Sequence, residues 1–196
     1  MIPAQEALAR LREGNRRFVA DGSGSAGRPG PAQQPFAIVL GCSDSRVPAE
    51  LIFGQGFGDL FVIRVAGNIV APSQVGSVEF AAERFETRLA VVMGHTQCGA
   101  VAATLETLRQ AQGHASPNLR AIVDRIRPAI EPLLGTPVAH DPAALAAAAT
   151  RANIRASVDH LRHGSALLER RTERDGLLIV GAEYCVETGT VEFLDD

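Results

Sequence analysis

The chain has 196 residues and a mass of 20.7 kDa, enough for one domain with a substantial core. Apolar residues make up 46% and charged residues 21% of it, which excludes a disordered chain. The net charge is −3 and all 19 cationic residues are arginine, so the chain has no lysine for a Schiff base or a phosphate-binding loop. We expect a single domain over residues 1–196, with residues 1–35 forming an N-terminal helix and linker arm.

The N-terminal segment predicts a helix on a tether. Residues 4–18 carry an apolar stripe at helical spacing, and residues 21–35 are rich in Gly, Pro and Ser. The stripe consists of Ala4, Leu8, Leu11 and Phe18. Because a tethered helix can dock on another chain as easily as on its own, we expect it to extend onto a neighbouring subunit of a homo-oligomer.

Short apolar runs then alternate with helical stretches. The runs cover residues 36–40, 60–63, 89–93 and 177–180, and an alternating pattern follows at 190–194. The helical stretches cover 47–53, 74–86, 99–111, 117–134 and 142–173, the last broken near Gly164. This alternation predicts an α/β fold with a mostly parallel central sheet of four to five strands flanked by helices.

No targeting, membrane or nucleic-acid segment is indicated. No apolar stretch approaches the roughly 18 residues that a membrane span needs, and the N-terminus lacks the apolar block of a signal peptide. The mild acidity gives no footprint for nucleic acid. The sequence therefore favours a cytoplasmic protein, in which Cys42, Cys98 and Cys185 are thiols or metal ligands rather than a disulfide framework.

Chemically active residues follow two of the predicted strands. Cys42 comes after the first run, and His95 and Cys98 come after the third. In open α/β sheets, ligands bind at the carboxyl ends of the strands. Two thiolates and an imidazole suit zinc, and three protein ligands leave the open fourth position typical of a catalytic site. Asp44 lies two residues past Cys42, and Arg46 could hold its carboxylate in a bidentate pair.

Taken together, these segments resemble the signature segments of the β-class carbonic anhydrases. The resemblance is carried by Gly41-Cys42-Ser43-Asp44-Ser45-Arg46 and Gly94-His95-Thr96-Gln97-Cys98-Gly99. Residues 15–18, 58–68, 76–81 and 181–194 also fit the family. The match covers most of the chain, and residues 113–175 are the least diagnostic part.

The resemblance implies one Zn²⁺ per chain on Cys42, His95 and Cys98. It implies reversible hydration of CO2 to bicarbonate and a proton, by attack of zinc-bound hydroxide on CO2. It makes Asp44 and Arg46 a catalytic dyad, in which Asp44 binds the zinc-bound water or becomes the fourth zinc ligand in a closed state. It also implies a homodimer or homotetramer.

Four further residues match substrate-binding positions of the family. Gln33 matches a glutamine that reaches the substrate from the adjoining subunit. Phe61 and Phe80 match apolar pocket positions, and Gly99 offers its backbone N–H beside the zinc.

Some members of the family are inhibited by bicarbonate bound to a tryptophan, an arginine and a tyrosine. Arg64 and Tyr184 match two of these positions, but the tryptophan position is Val39, and the chain has no Trp. We therefore expect bicarbonate inhibition of this kind to be weak or absent.

Three other functions are compatible with parts of the pattern. The same zinc site could hydrolyse carbonyl sulfide or carbon disulfide, since both are linear molecules with an electrophilic carbon. A non-catalytic zinc protein would keep Cys42, His95 and Cys98 but would not need the dyad. A thiol redox protein would favour a Cys-x-x-Cys motif, whereas the near partner of Cys98 is His95.

Overall fold

A computed structural model describes residues 2, 4–20, 30–109 and 116–194. Its core is a five-stranded sheet in the order β2-β1-β3-β4-β5. The strands are β1 (Ala37–Gly41), β2 (Leu60–Arg64), β3 (Leu89–His95), β4 (Leu178–Tyr184) and β5 (Val191–Leu194). All neighbouring pairs are parallel except β4 with β5. The predicted α/β fold with a mostly parallel sheet is therefore confirmed.

The helices follow the predicted stretches with adjusted ends. They are α1 (Ala4–Ala20), α2 (Ala49–Ile52), α3 (Pro72–Arg84), α4 (Gly99–Arg109), α5 (Pro117–Ile130), α6 (Pro142–His163) and α7 (Ala166–Arg174). Short 3-10 turns cover Ala66–Asn68, Glu131–Gly135 and Pro137–His140. Residues 21–29 of the expected linker and 110–111 of the expected fourth helix lie outside the described residues.

Local chemistry explains where these helices begin and end. The Asp141 carboxylate accepts hydrogen bonds from the N–H groups of Ala143 and Ala144, which caps α6. Helix α6 ends at His163 with Gly164 as its C-cap, and Ser165 caps α7, so the expected break is present. The prediction that one helix covers 117–134 is wrong. Helix α5 ends at Ile130 because Pro132 has no N–H to continue the ladder, and the chain tightens into a 3-10 turn.

The two faces of the sheet are covered unequally. One face carries Ile38 and Leu40 against buried side chains of α3, α6 and α7. The opposite face carries Val39 and Val91, and of the helices only the short α2 contributes a buried residue to that cluster in the described part of the chain. A third apolar cluster joins α4, α5 and α6 around Cys42 and Cys98.

Helix α1 buries none of its residues in the single chain. Its Phe18 ring contacts Phe57, with the ring centroids 5.9 Å apart, while Leu11 is 73% exposed. In the part of the chain that the structure describes, no helix combines the length and apolar character needed to cross a membrane.

Helix α6 rests directly on two strands because glycines face it. An ideal Cβ at Gly94 on β3 would lie 2.6 Å from Cγ1 of Ile154, and one at Gly181 on β4 would lie 2.8 Å from its Cγ2. Both distances are too short for a carbon–carbon contact, so the close approach of α6 to the sheet requires these two glycines.

We predict that Gly94→Ala lowers the free energy of unfolding by about 1–3 kcal/mol, because the added methyl group overpacks against Ile154. Chemical denaturation at one protein concentration measures the change. The cost should shrink when Gly94→Ala is made in an Ile154→Ala background.

Gly76→Ala is the matched control. Its Cβ would meet no described atom within 4 Å at this exposed position of α3, so the substitution should stabilise the protein by about 0.5–1 kcal/mol. Equal effects at the two glycines would contradict the packing argument.

Candidate metal centre and carboxylate–guanidinium pair

The reactive residues lie at the switch point of the sheet. Strands β1 and β3 are parallel neighbours, and the chain leaves β1 towards β2 on one side while β3 continues towards β4 on the other. Such a point leaves a crevice at the carboxyl ends of the strands. Cys42 follows β1, His95 is the last residue of β3, and Cys98 immediately precedes α4.

Cys42, His95 and Cys98 meet in this crevice. Their ligand atoms all lie within 4.8 Å of one another, and all three residues are buried. The Nδ1 of His95 is 2.8 Å from the carbonyl oxygen of Thr96, which fixes the ring as a donor on that side. Among the residues that the structure describes, the buried Nε2 atom has no hydrogen-bond partner. A buried acceptor without a partner is costly, and a bound cation would remove that cost.

The two thiols share one proton in the absence of a cation. The two sulfur atoms lie within 4.8 Å of each other, and hydrogen bonding between the two thiol groups lowers the pKa of Cys42 to about 4. The same contact raises the pKa of Cys98. The backbone N–H of Gly67 donates to the Cys42 sulfur across 3.3 Å. The first thiolate therefore forms readily, whereas the second needs a positive charge beside it.

Asp44 and Arg46 form a bidentate ion pair next to the three ligands. The Nε of Arg46 donates to Oδ1 of Asp44 across 3.0 Å, and Nη2 donates to Oδ2 across 2.8 Å. The guanidinium hydrogen bonds, followed by the backbone N–H of Arg46, hold the pKa of Asp44 well below its usual range. Asp44 is therefore an ionised acceptor, and its Oδ2 lies 3.9 Å from Nε2 of His95.

The backbone of this loop is supported by residues that we did not predict in that role. Arg64 donates to the carbonyl oxygens of Cys42 and Asp44 across 3.0 and 2.6 Å. Arg64 pairs with Gly41 in the register of β1 and β2, so its position at the end of β2 is the sequence feature that could have indicated this contact. Asn153 on α6 donates to the carbonyl oxygen of Gly67 across 2.8 Å. Nothing in the sequence around Asn153 indicated this contact.

Gln33, Phe61 and Phe80 do not join the metal ligands in the single chain. Gln33 lies beside Gly58, before the first residue of β2, whereas Cys42 follows the far end of the adjacent β1. The Phe61 and Phe80 rings pack on each other and on Phe85, with the first two centroids 6.0 Å apart.

Gly99, Arg64, Tyr184 and Val39 lie at or near the strand ends. Gly99 begins α4 directly after Cys98. Tyr184 pairs with His95 in the register of β3 and β4, and it packs against the same apolar cluster as Val39. The Arg64 guanidinium is directed to the two loop carbonyls described above.

Comparison with known proteins identifies the family. The family model described as carbonic anhydrase matches residues 37–191. Carbonic anhydrase 2 of Mycobacterium tuberculosis is 34% identical over 198 residues, covering 94% of this chain and 90% of that protein. The solved β-carbonic anhydrase CcaA superposes with a TM-score of 0.78 at 28% identity, over 96% of this chain and 95% of that one.

The fold alone is also shared with a more distant structure. One of two tetrameric β-carbonic anhydrases from Sordaria macrospora has a TM-score of 0.75 at 22% identity, covering 98% of this chain and 94% of that one. This chain belongs to the carbonic anhydrase family, in its β class, and is an enzyme of that class.

We predict that the metal-free protein holds one thiolate per chain at neutral pH. Because the folded-state pKa of Cys42 lies below the ordinary value of 9.0, the thiolate persists on acidification and is lost only as the pH falls through about 4. Ultraviolet absorbance of the thiolate during a pH titration measures this. Cys42→Ala should abolish the signal and Cys185→Ala should preserve it. A signal that appears only above the ordinary thiol range would contradict the shared-proton arrangement.

Proposed function

We propose that this chain catalyses the reversible hydration of CO2 to bicarbonate and a proton, with one Zn²⁺ per chain on Cys42, His95 and Cys98. The observation that carries the proposal is the buried Nε2 of His95, which has no hydrogen-bond partner in the described part of the chain and lies 3.9 Å from an ionised carboxylate. Membership of the carbonic anhydrase family supports the reaction.

The donor set fits zinc. Two thiolates and one imidazole suit this borderline-soft cation. The positive charge of the cation would also stabilise the Cys98 thiolate, which forms reluctantly without it because the pKa of Cys98 is raised. When bound, zinc acts as a Lewis acid that lowers the pKa of a coordinated water; two thiolates offset its charge, so we expect activity to favour alkaline pH.

Asp44 would orient the attacking oxygen. As an ionised carboxylate it can only accept a hydrogen bond, so it would hold the O–H of the nucleophile and direct the oxygen lone pair towards the carbon of CO2. Arg46 would keep Asp44 ionised and turned towards itself through the two hydrogen bonds of the pair. Without that restraint, Asp44 is close enough to the ligand group to become the fourth metal ligand of a closed state.

The walls of the crevice suit an uncharged substrate. Val65 packs against the apolar cluster that contains Cys42 and Cys98. CO2 has no net charge and no hydrogen-bond donor, so an apolar wall binds it without an unsatisfied polar group. The backbone N–H of Gly99 would lie at the edge of this pocket.

We propose that the remaining pocket residues act across a subunit interface. Gln33 lies at the end of the strands away from its own metal ligands, and the Phe80 side chain is half-exposed in the single chain. A second copy would bring Gln33, Phe61 and Phe80 towards a substrate pocket that is not their own. This arrangement makes the homo-oligomer part of the active site.

Assembly into a homodimer or homotetramer follows from the same reasoning, and tetramers occur among structures of this fold. We predict a solution mass of two or four chains by light scattering after size exclusion. Leu11→Arg should shift the mass towards one chain, because it charges the exposed stripe of α1. Leu119→Arg, an equally drastic change at an exposed leucine of α5, should leave the mass unchanged. A wild-type mass of one chain would overturn the proposal.

The reaction itself is tested by stopped-flow CO2 hydration on protein with its zinc quantified. Wild type should carry about one zinc per chain and hydrate CO2 faster as the pH rises. Asp44→Asn should keep the zinc and lose roughly a hundredfold or more in kcat. His95→Ala should lose both zinc and activity.

Cys185→Ala is the matched control for metal binding, since Cys185 lies outside the ligand group, and it should keep its zinc. Protein without zinc would overturn the metal assignment. Zinc-loaded protein that releases sulfide from carbonyl sulfide but does not hydrate CO2 would retain the site and overturn the substrate.

A further inference from the structure

Arg46 has a second set of contacts that the pair with Asp44 does not use. Its Nη1 donates to the side-chain oxygen of Gln97 across 3.3 Å, and its Nη2 lies 3.4 Å from the Gln97 carbonyl oxygen. Gln97 holds a left-handed backbone with φ of 59°, which is rare for a residue with a side chain. Its carbonyl and its amide oxygen therefore both face the same guanidinium.

Glu187 holds the other end of the Gln97 side chain. The Nε2 of Gln97 donates to Oε1 of Glu187. The second oxygen of Glu187 accepts from the hydroxyl of Thr96 across 2.9 Å and from the thiol of Cys185 across 3.2 Å. Thr96 in turn accepts from the backbone N–H of Val186 across 3.1 Å. The connection between β4 and β5 is thus bonded to the residues that follow β3.

The charges along this path alternate. The Asp44 carboxylate, the Arg46 guanidinium and the Glu187 carboxylate follow one another, with the neutral amide of Gln97 between the last two. An amide whose N–H donates to a carboxylate is a stronger acceptor at its oxygen, because hydrogen bonds in a chain polarise one another. Glu187 therefore strengthens the contact of Gln97 with Arg46, although it does not touch Arg46.

We propose that Glu187 is a positioning residue for CO2 hydration. It acts through Gln97 to hold the Arg46 side chain, which keeps the Asp44 carboxylate bonded to Arg46 and away from the metal. The inference rests on the proposed function for its kinetic consequence. The Asp44 carboxylate can either stay on Arg46 or turn to the metal, because the Oδ2 atom that accepts from Arg46 lies 3.9 Å from Nε2 of His95. A small change in the stability of the Arg46 contacts changes how often Asp44 leaves them.

The matched comparison is Glu187→Ala against Glu192→Ala. Glu192 lies on β5 and pairs with Arg151, away from the carboxylate–guanidinium pair. On zinc-loaded protein, Glu187→Ala should lower kcat for CO2 hydration by about three- to tenfold with KM unchanged. Glu192→Ala should keep the wild-type kcat. Glu187→Gln retains an acceptor for Gln97, so it should recover part of the loss.

A double-mutant cycle tests the path. If Glu187 acts through Gln97, the variant with both Gln97→Ala and Glu187→Ala should have the kcat of Gln97→Ala alone. Effects that multiply would show that Glu187 acts by another route and would overturn the proposal. So would a wild-type kcat in Glu187→Ala.

An NMR measurement made without substrate tests the positioning role of Glu187 separately from the proposed CO2 hydration. The solvent-exchange rate of the Arg46 Nε–H is measured by 15N NMR and assigned by its loss in Arg46→Gln. Glu187→Ala should increase this rate several-fold and Glu192→Ala should not. An unchanged rate in Glu187→Ala would overturn the positioning role whether or not the wild-type protein hydrates CO2. A wild-type protein that shows the expected exchange but no CO2 hydration would overturn the reaction alone.

Discussion

The parallel pairing of β1 with β3 is the constraint on which the candidate metal centre depends. Because the chain leaves β1 towards β2 on one side and leaves β3 towards β4 on the other, the described connections diverge at the carboxyl ends of this pair. Cys42 is thereby placed beside His95 and Cys98 although they are far apart in sequence. A shift of one residue in this register would turn either set of ligands out of the crevice.

Burying these polar groups is costly, and the surrounding backbone and the Arg64 side chain offset part of that cost. Two buried thiols and a buried imidazole nitrogen must be held close together without water to solvate them. The Gly67 N–H, the Arg64 guanidinium and the start of α4 each direct a donor or a positive end of a dipole at this loop. The three candidate ligands are thus held in place by elements that do not themselves belong to the ligand group.

The sequence predicted the parts of this structure that depend on local pattern. Apolar runs that end in Cys42 and His95 indicated both the strands and the edge of the sheet where the ligands meet, because strand burial and strand ends are visible in consecutive residues. The break near Gly164 was visible for the same reason. The end of α5 at Ile130 was missed because Pro132 was not weighed as a helix terminator.

Contacts between distant residues could not be predicted in the same way. Glu187 and Gln97 are 90 positions apart, and their contact depends on how the β4–β5 connection folds back over β3. Asn153 lies in the stretch that resembles the family least, yet it bonds to the turn that contacts Cys42. Phe61 and Phe80 were expected at the pocket, but in the single chain they pack with Phe85. Each of these placements depends on tertiary geometry, which consecutive residues do not encode.

The close packing of α6 on the sheet constrains how this sequence can change in evolution. Ile154 occupies a notch formed by Gly94 and Gly181 on adjacent strands, so one side chain sets the volume allowed at two positions of the sheet. A larger residue at either glycine becomes tolerable only after position 154 has become smaller. These three positions should therefore change together among descendants of this sequence, and the order of the substitutions should be constrained, with the helix changing before the strands.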